Sequence, residues 1–475
     1  MLEINPLSFP RPKKRRTGGV EAEVTGLNHA GEGVARVEGL VYFIPGALPG
    51  ERVLAEGVES KKNYVRARLV SVLDPSPARR VPECVHFGEC GGCRLQHMEY
   101  TAQLKQKTDL VRESLQRIAG LPKALVRETL GMSYPWHYRN KAVFQVGEER
   151  GALLLGFYRE GTPVLVPLFG EKKNPVAGCL LVDGEINAAA KTVQDLLNRY
   201  APGGLKAKRR PGRSFFRQVV IRKSFHTREI MVVFVTESGP WREEAALARH
   251  LTSIIPRAVS VARAEVPAGG GSLGSGNIRV VAGSDHIVER IGDLTFILSP
   301  ASFFQVNPAQ TLVLYRKIAD YAGLTGTETV VDAFCGVGSI SLFLAGRAGE
   351  VTGIESHPQA VKDAVKNARQ NGVKNARFYC KDVEKLLPEI LSSGKRPDVA
   401  VFDPPRRGLG RRTVEAVAAC GVPKIVYVSC HPGTLARDLG YFCHSGYALE
   451  KVQPVDMFPW THHVECVALV TRVEK

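Results

Sequence analysis

Two reactive side chains follow apolar segments in the last third of the chain. Asp403 comes directly after Val399–Phe402 and begins the string Asp-Pro-Pro-Arg, and Cys430 comes directly after Lys424–Ser429. A lone cysteine is usually a small buried apolar residue. A cysteine at a strand-to-helix turn, however, lies near helix N–H groups that lower its pKa and favour the thiolate. The position of Cys430 therefore predicts a nucleophile.

A carboxylate interrupts the last apolar segment of the chain. Glu465 stands within His-Val-Glu-Cys-Val-Ala-Leu-Val. Burying an unpaired carboxylate in such a segment costs several kcal/mol. Glu465 is therefore expected either at the rim of the sheet or at a place where it takes part in proton transfer.

A glycine-rich turn follows the apolar segment Thr329–Ala333. Gly336 and Gly338 let a ligand lie against bare backbone at the start of a helix. Glu355 ends the next strand, where a carboxylate accepts hydrogen bonds from both hydroxyls of a ribose. Asp382 follows the third strand, within reach of the amine of an adenine. These features predict a cofactor that contains a nucleoside.

The same arrangement of strand, glycine turn, helix and acid serves both NAD and S-adenosylmethionine. Ser341 stands where the third glycine of the dinucleotide pattern G-x-G-x-x-G/A belongs, which weakens the NAD interpretation. Asp332, near the end of the first strand, favours the methyl donor.

Three cysteines near the start of the chain have the spacing of a metal site. Cys84, Cys90 and Cys93 are separated by five and two residues, and a glycine pair lies between the last two. Cysteine thiolates at such spacing hold either tetrahedral zinc or an iron–sulfur cluster. The spacing alone leaves both alternatives open.

The elements around these residues predict several domains. The 475 residues exceed one compact core. Short strands punctuated by glycine predict an OB-like barrel over residues 16–75, after a flexible basic arm at 1–15. Residues 76–300 read as a central α+β domain, and alternating helices and apolar strands over 301–475 predict a Rossmann-like α/β domain with a doubly wound parallel sheet.

Charge and composition limit the class of partner. Lys and Arg exceed Asp and Glu by 64 to 47, a formal charge of +17, which favours a nucleic-acid partner. A basic cluster, Lys206 to Arg213, and the arm both fit a phosphate-binding role, or are simply solvated. No apolar run is long enough for a membrane span and the N-terminus does not resemble a signal peptide, so we expect a cytoplasmic protein.

Taken together, these motifs resemble the RNA uracil-5 methyltransferases, and most closely the branch that acts on 23S ribosomal RNA. The resemblance covers nearly the whole chain. It includes the barrel, which in that family is a TRAM domain, and the cysteine string with a distant fourth cysteine. The remaining motifs are Tyr138-Arg-Asn-Lys141, Phe303-Phe-Gln305-Val-Asn307, Asp332-Ala-Phe-Cys-Gly336, Asp403-Pro-Pro-Arg406, Val428-Ser-Cys430 and Thr434-Leu-Ala-Arg-Asp438.

The resemblance implies a role for each matching position. It implies that Cys430 is the nucleophile and Glu465 the proton acceptor. The expected contacts to S-adenosylmethionine are Gln305, Phe334, Glu355, Asp382 and Asp403. The expected ligands of a [4Fe–4S] cluster are Cys84, Cys90, Cys93 and Cys179. His431 departs from the family pattern, which commonly has asparagine after the nucleophile.

The resemblance further implies methylation of carbon 5 of a uridine, with ribosomal RNA as partner and no obligate protein partner. Methylation of tRNA is the nearest alternative, although tRNA-specific relatives typically lack both the barrel and the cysteine cluster. An amino-methyltransferase that acts through Asp403 is a second alternative, but Arg406 stands where such enzymes carry a base-stacking aromatic residue. A non-catalytic iron–sulfur RNA-binding protein is a third.

Overall fold

The computed structural model describes residues 19–170, 178–201, 215–267, 273, 276–392 and 396–473. The predicted basic arm at 1–15 and the basic cluster from Lys206 to Arg213 lie outside these residues. Within the described ranges, no helix combines the length and the apolar character needed to cross a membrane.

The N-terminal region is a closed barrel of five strands in the order β1-β2-β3-β5-β4. Alternate residues point inward, so that Ala22, Val24 and Ile44 are buried in its core. Glu51 is fully buried beneath the barrel and accepts hydrogen bonds from the Arg79 guanidinium, which ties the barrel to the segment that follows. The strands are β1 Val20–Leu27, β2 Gly33–Val37, β3 Leu40–Ile44, β4 Arg52–Ser60 and β5 Tyr64–Asp74.

The central region is a seven-stranded mixed sheet in the order β12-β11-β10-β9-β6-β7-β8. One face packs under two helices around Phe144, Phe234 and Trp241, as the predicted α+β domain requires. A long helix, α1, precedes the sheet and packs against the C-terminal region. The elements are α1 Tyr100–Ala119, β6 Lys141–Glu149, β7 Ala152–Tyr158, β8 Leu165–Pro167, α2 Gly184–Tyr200, β9 Phe216–Lys223, β10 Ile230–Glu237, α3 Glu244–Ile254, β11 Ala258–Val266 and β12 Asn277–Gly283.

The C-terminal region is a second seven-stranded sheet, in the order β17-β16-β15-β18-β19-β21-β20. The hairpin β13–β14 packs into the same core as this sheet. The elements are β13 Ile287–Ile291, β14 Leu294–Leu298, α4 Pro308–Ala322, β15 Thr329–Ala333, α5 Ser339–Ala345, β16 Glu350–Glu355, α6 Pro358–Gln370, β17 Ala376–Cys380, α7 Val383–Ser392, β18 Val399–Phe402, α8 Arg411–Ala419, β19 Lys424–Ser429, α9 Pro432–His444, β20 Tyr447–Val455 and β21 Glu465–Arg472.

The sequence pattern predicted a parallel sheet, but this sheet is only partly parallel. Strands β15 to β19 run parallel, whereas β21 runs antiparallel to both β19 and β20. The short loop between β20 and β21 contains no helix to carry the chain back across the sheet, so the two strands form a hairpin. The parallel strands end at one edge of the sheet, where open α/β folds bind their ligands.

Candidate active site

The glycine-rich turn lies between β15 and α5, at the ligand edge of the C-terminal sheet. Phe334, Gly336 and Gly338 all have positive φ, at 69°, 55° and 79°. A Cβ atom at Gly338 would lie 3.0 Å from the Phe378 ring, whereas one at Gly336 would meet no heavy atom within 4 Å. The turn therefore packs tightly on its inner side and leaves bare backbone on its outer side.

Two predicted cofactor contacts lie beside this turn and are held by backbone hydrogen bonds. Glu355 accepts hydrogen bonds from the backbone N–H of Gly336 at 3.2 Å and of His357 at 2.8 Å. Asp382 accepts one from the N–H of Glu384 at 3.0 Å, at the start of α7. A carboxylate fixed in this way is already oriented before a ribose or adenine arrives.

A third acid lies beneath the turn. Asp332 is fully buried, and burial raises its pKa to about 7. One oxygen, Oδ2, accepts a hydrogen bond from the Ser341 hydroxyl at 2.5 Å. The other, Oδ1, has no partner among the described residues. An open backbone surface and an oriented carboxylate above this buried acid fit the nucleoside part of S-adenosylmethionine.

The reacting groups lie at the other end of the same edge, and the strand register brings them together. Ser429 of β19 pairs with Cys466 of β21 in an antiparallel ladder. Cys430 follows Ser429 and Glu465 precedes Cys466, so in an antiparallel pair Cys430 stands opposite Glu465. Glu465 is only 6% exposed, so it is buried and not at the rim of the sheet.

The environment of Cys430 contradicts the lowered thiol pKa that its strand-end position predicted. Burial and the neighbouring Glu465 raise the pKa of Cys430 to about 11, while Arg406 opposes the shift. Burial and Asp403 likewise hold the pKa of Glu465 well above its ordinary value. The contribution of helix N–H groups is outweighed because two acids and desolvation act on the same thiol.

Asp403 and Arg406 follow β18 and complete this group. Asp403 is half-buried, and burial raises its pKa to about 6. The backbone carbonyl of Arg406 accepts a hydrogen bond from the Thr434 hydroxyl at 3.1 Å, which joins this turn to α9. Arg406 is thus the nearby cation that favours the charged forms of Cys430 and Glu465.

The loop between β20 and β21, which leads into Glu465, is fixed by the central region. Asp456 accepts hydrogen bonds from Lys107 at 2.6 Å and from the Tyr100 hydroxyl at 3.0 Å. The Lys107–Asp456 ion pair is fully buried, so removal of either partner would leave an uncompensated charge.

Trp460 lies at the centre of this loop, with a positive φ of 67° that a tryptophan rarely adopts. Its carbonyl accepts hydrogen bonds from the backbone N–H groups of Arg94 and Leu95, at 3.1 and 3.0 Å. Its N–H donates to Gln103 at 3.2 Å, and its ring stacks on Trp136 with centroids 4.3 Å apart. The segment that follows Cys93 therefore contacts the loop that carries the predicted proton acceptor.

The barrel also reaches the reacting groups. The His29 and His431 rings have centroids 6.1 Å apart, and His431 directly follows the predicted nucleophile. A Cβ atom at Gly31 would lie 3.1 Å from Cβ of His462, three residues before Glu465. The predicted RNA-binding barrel and the predicted catalytic pair therefore border one surface.

Four cysteines line one cavity in the central region. Cys84, Cys90, Cys93 and the distant Cys179 surround a space of about 70 Å³ together with Arg139. The sequence resemblance, and not the spacing, was the signal that found the fourth cysteine. Among the described residues no three His, Cys, Asp or Glu side chains are arranged to hold a single metal ion.

Gln305, the remaining predicted cofactor contact, lies in the segment between β14 and α4. It is half-buried, and the next residue, Val306, accepts a hydrogen bond from the Asn140 N–H at 2.9 Å. Sequence reasoning did not anticipate the contributions of Lys107, Trp460 and His29. The signals for the site were the strand-end residues and the family motifs, and these three residues stand outside both.

Comparison with known proteins places this geometry in a family. Residues 279–473 match the family model described as tRNA (uracil-5-)-methyltransferase, and residues 17–70 match the TRAM domain. An uncharacterized RNA methyltransferase of Halalkalibacterium halodurans is 41% identical over 95% of this chain and 96% of its own. Another, from Caldanaerobacter subterraneus subsp. tengcongensis, is 42% identical over 95% of this chain and 98% of its own.

A solved structure is also similar. The Pyrococcus abyssi tRNA (uracil-54, C5)-methyltransferase, in complex with S-adenosyl-L-homocysteine, is 26% identical with a TM-score of 0.70, and the match covers 95% of this chain and 100% of that one. The fold and the site define an S-adenosylmethionine-dependent RNA methyltransferase with an N-terminal TRAM domain. The chain belongs to the RNA (uracil-5-)-methyltransferase family.

Proposed function

We propose that the protein methylates carbon 5 of a specific uridine in 23S ribosomal RNA, through a covalent adduct between Cys430 and carbon 6 of the ring. The observation that carries the proposal is the register of β19 and β21, which sets Cys430 opposite Glu465 at the edge that bears the glycine turn. A nucleophile and a proton acceptor that face each other supply both steps that an electron-poor ring carbon requires.

The residues of the chain divide the work as follows. The Cys430 thiolate adds to carbon 6, which makes carbon 5 an enolate-like nucleophile. Bound S-adenosylmethionine supplies the electrophilic methyl group. Glu465 then removes the proton from carbon 5, the electron pair restores the carbon 5–carbon 6 double bond, and the thiolate of Cys430 leaves.

The methyl donor would contact the acids and backbone at the glycine-turn end of the edge. Glu355 and Asp382 are already oriented there by backbone hydrogen bonds. The full set proposed for it is Gln305, Phe334, Glu355, Asp382 and Asp403. The target base must leave its stack to reach Cys430, so the substrate is a single-stranded segment or a flipped nucleotide.

The four-cysteine cavity supports a [4Fe–4S] cluster held by Cys84, Cys90, Cys93 and Cys179. Its volume of about 70 Å³ is several times the roughly 10–15 Å³ that one water requires. A single zinc ion, the alternative that the spacing left open, would hold four thiolates about 2.3 Å from one centre. The measurement is the iron, sulfide and zinc content of protein purified without oxygen; zinc without sulfide would contradict the cluster.

Methylation of tRNA is the second candidate, and one observation favours it. The Pyrococcus abyssi enzyme named for tRNA uracil-54 matches 95% of this chain over its whole length. The presence of the barrel and the cysteine cluster was expected to separate the two substrates. A match of this extent to a tRNA enzyme means that the overall architecture alone does not separate them. Ribosomal RNA remains the proposed substrate because of the motif resemblance. We propose that the protein acts in the cytosol, where that RNA is found, and that it needs no obligate protein partner.

The deciding experiment maps 5-methyluridine in both RNAs from cells with and without the gene. We expect one or more positions in 23S ribosomal RNA to lose the modification, while tRNA keeps it. The purified protein should restore methylation on 23S RNA from the deletion strain. Loss at a tRNA position alone would contradict the ribosomal assignment and leave the reaction itself intact.

A further inference from the structure

Two cations stand side by side on the face of the central sheet that meets the C-terminal region. Lys141 of β6 is the direct antiparallel partner of Arg222 of β9. Directly opposed residues point to the same face, with Cβ atoms about 5 Å apart. On the same face, Val143 and Val220 pack against the C-terminal core. The two cations therefore lie at the junction of the two sheets.

The charges of this pair are poorly compensated. Arg222 is only 4% exposed; its Nη2 donates to the Ser302 carbonyl at 2.7 Å, but its Nη1 has no partner among the described residues. Lys141 is half-buried and makes no hydrogen bond or ion pair within the described part of the chain. Burial and the adjacent Arg222 lower the pKa of Lys141 to about 7.

Among the described residues, Glu289 is the one acid that acts on Arg222, and it is already occupied. Glu289 favours the charged form of Arg222, but its two oxygens accept five other hydrogen bonds. The donors are Asn140 Nδ2, the Ser224 hydroxyl and the backbone N–H groups of Phe225, His226 and Arg290. Two neighbouring cations in a half-buried site repel each other, and a bound anion would offset that repulsion and favour the charged form of Lys141.

The position of the pair indicates which ligand this is. Ser302, the partner of Arg222, precedes Phe303, whose ring is 71% exposed, and the same segment carries Gln305. Asn140, next to Lys141, donates to Val306 of that segment. The pair therefore borders both the surface open to RNA and the proposed methyl-donor pocket, each of which brings an oxyanion.

We propose that Lys141 and Arg222 form an oxyanion site, and that its occupant is a phosphodiester of the bound RNA near the target nucleotide. The identity of the ligand rests on the proposed function, because an RNA substrate supplies the phosphate. Arg222 offers a free N–H and Lys141 a mobile ammonium, which are the donors that phosphate recognition uses. The carboxylate of the methyl donor has the same chemistry and is tested as the other source.

The test uses the full-length protein and a fluorescent single-stranded oligouridine RNA, without a methyl donor. We expect Lys141→Met to weaken RNA binding about fivefold to tenfold at low salt, while Lys141→Arg keeps it. The slope of log K against log salt should fall by about 0.7, the value for one phosphate contact on a single strand. The matched control Lys191→Met, which removes an exposed lysine paired with Asp195, should leave both unchanged.

A second measurement separates the two sources of the oxyanion. S-adenosylhomocysteine, titrated calorimetrically into the Lys141→Met protein, should bind as tightly as to the unaltered protein. A loss of its affinity with RNA binding unchanged would overturn the phosphate assignment, and no change in either would overturn the site. Because neither measurement requires methyl transfer, the result is independent of whether Cys430 and Glu465 act as proposed.

Discussion

The two ends of the ligand edge of the C-terminal sheet are built on opposite electrostatic principles. At the glycine turn, Glu355 and Asp382 are satisfied by backbone N–H groups. Beyond β18, burial raises the pKa of Asp403, and burial together with neighbouring acids raises the pKa of Cys430 and of Glu465. The first arrangement suits binding, because the charge stays in place. The second suits proton transfer, because a carboxylate with a raised pKa is a stronger base.

Replacing the proposed nucleophile should have the largest effect, and it is the strictest test of the difference between the two ends. We expect Cys430→Ala to abolish methylation and the covalent adduct with 5-fluorouridine RNA, because the sulfur proposed to add to carbon 6 is removed. Binding of S-adenosylhomocysteine should be unchanged. Denaturing gels detect the adduct at the reacting end, and calorimetry measures binding of S-adenosylhomocysteine at the glycine-turn end.

Cys443→Ala, on α9 and half-buried, is the matched control and should retain the adduct. Activity that survives in Cys430→Ala would favour an amino-methyltransferase acting through Asp403. Absence of any adduct in the unaltered protein would favour the non-catalytic RNA-binding alternative.

Removing the proposed proton acceptor should give the next largest effect. In Glu465→Gln, removal of the carbon 5 proton should slow by roughly 10²- to 10⁴-fold, the usual contribution of a positioned base. Because addition and methyl transfer precede that step, a methylated RNA–protein complex should accumulate. Labelled methyl donor and denaturing gels detect it. The control is Glu450→Gln, on the exposed part of β20, which should turn over normally. An equally low level of the methylated complex in both variants would exclude Glu465 as the proton acceptor.

At the binding end, the effect should be confined to the methyl donor. Glu355→Ala should weaken S-adenosylmethionine binding about tenfold to a hundredfold, since hydrogen bonds to a charged group contribute roughly 1.5–3 kcal/mol. RNA affinity without the donor should not change. Glu350→Ala, at the opposite end of β16, is the control. A comparable loss of RNA affinity in Glu355→Ala would break the separation between the two ends.

The smallest expected effect is a shift in pH dependence. Glu465 accepts a proton only when ionised, so kcat at saturating donor should rise with pH through the raised pKa of this group. Asp403 contributes to raising that pKa, so Asp403→Asn should move the acidic limb of kcat to lower pH, by up to about one unit. Arg406 opposes the shift in both proteins. An unmoved limb would show that another group controls it.

The parts of the site that sequence predicted well are those encoded locally. The strand and glycine turn of Thr329–Gly338 lie within ten residues, and the structure places them as expected. The direction of the pKa shift of the Cys430 thiol was predicted wrongly, because burial raises that pKa and because Glu465 and Asp403, which also raise it, follow or lie on other strands. The order of the strands in the sheet determines which residues contact the end of a given strand, and no single segment of the sequence specifies that order.

The supports of the reacting end were beyond prediction for the same reason. The Lys107–Asp456 ion pair joins residues 349 positions apart, and Lys107 reads in sequence as one more charge on the surface of α1. The antiparallel hairpin β20–β21 was likewise hidden, because the apolar run of β21 resembles that of a buried parallel strand. The family motifs indicated the site only at the positions that they contain, and Lys107 and Asp456 are not among them.

The loop around Trp460 has a consequence for how the molecule assembles. Its hydrogen bonds to Gln103 and Tyr138 span 357 and 321 residues of chain. Closing loops of that length is entropically unfavourable until both flanking regions have folded. We therefore expect this junction to form late in folding, after the individual sheets, so that Glu465 reaches its working position only in the final stage of maturation.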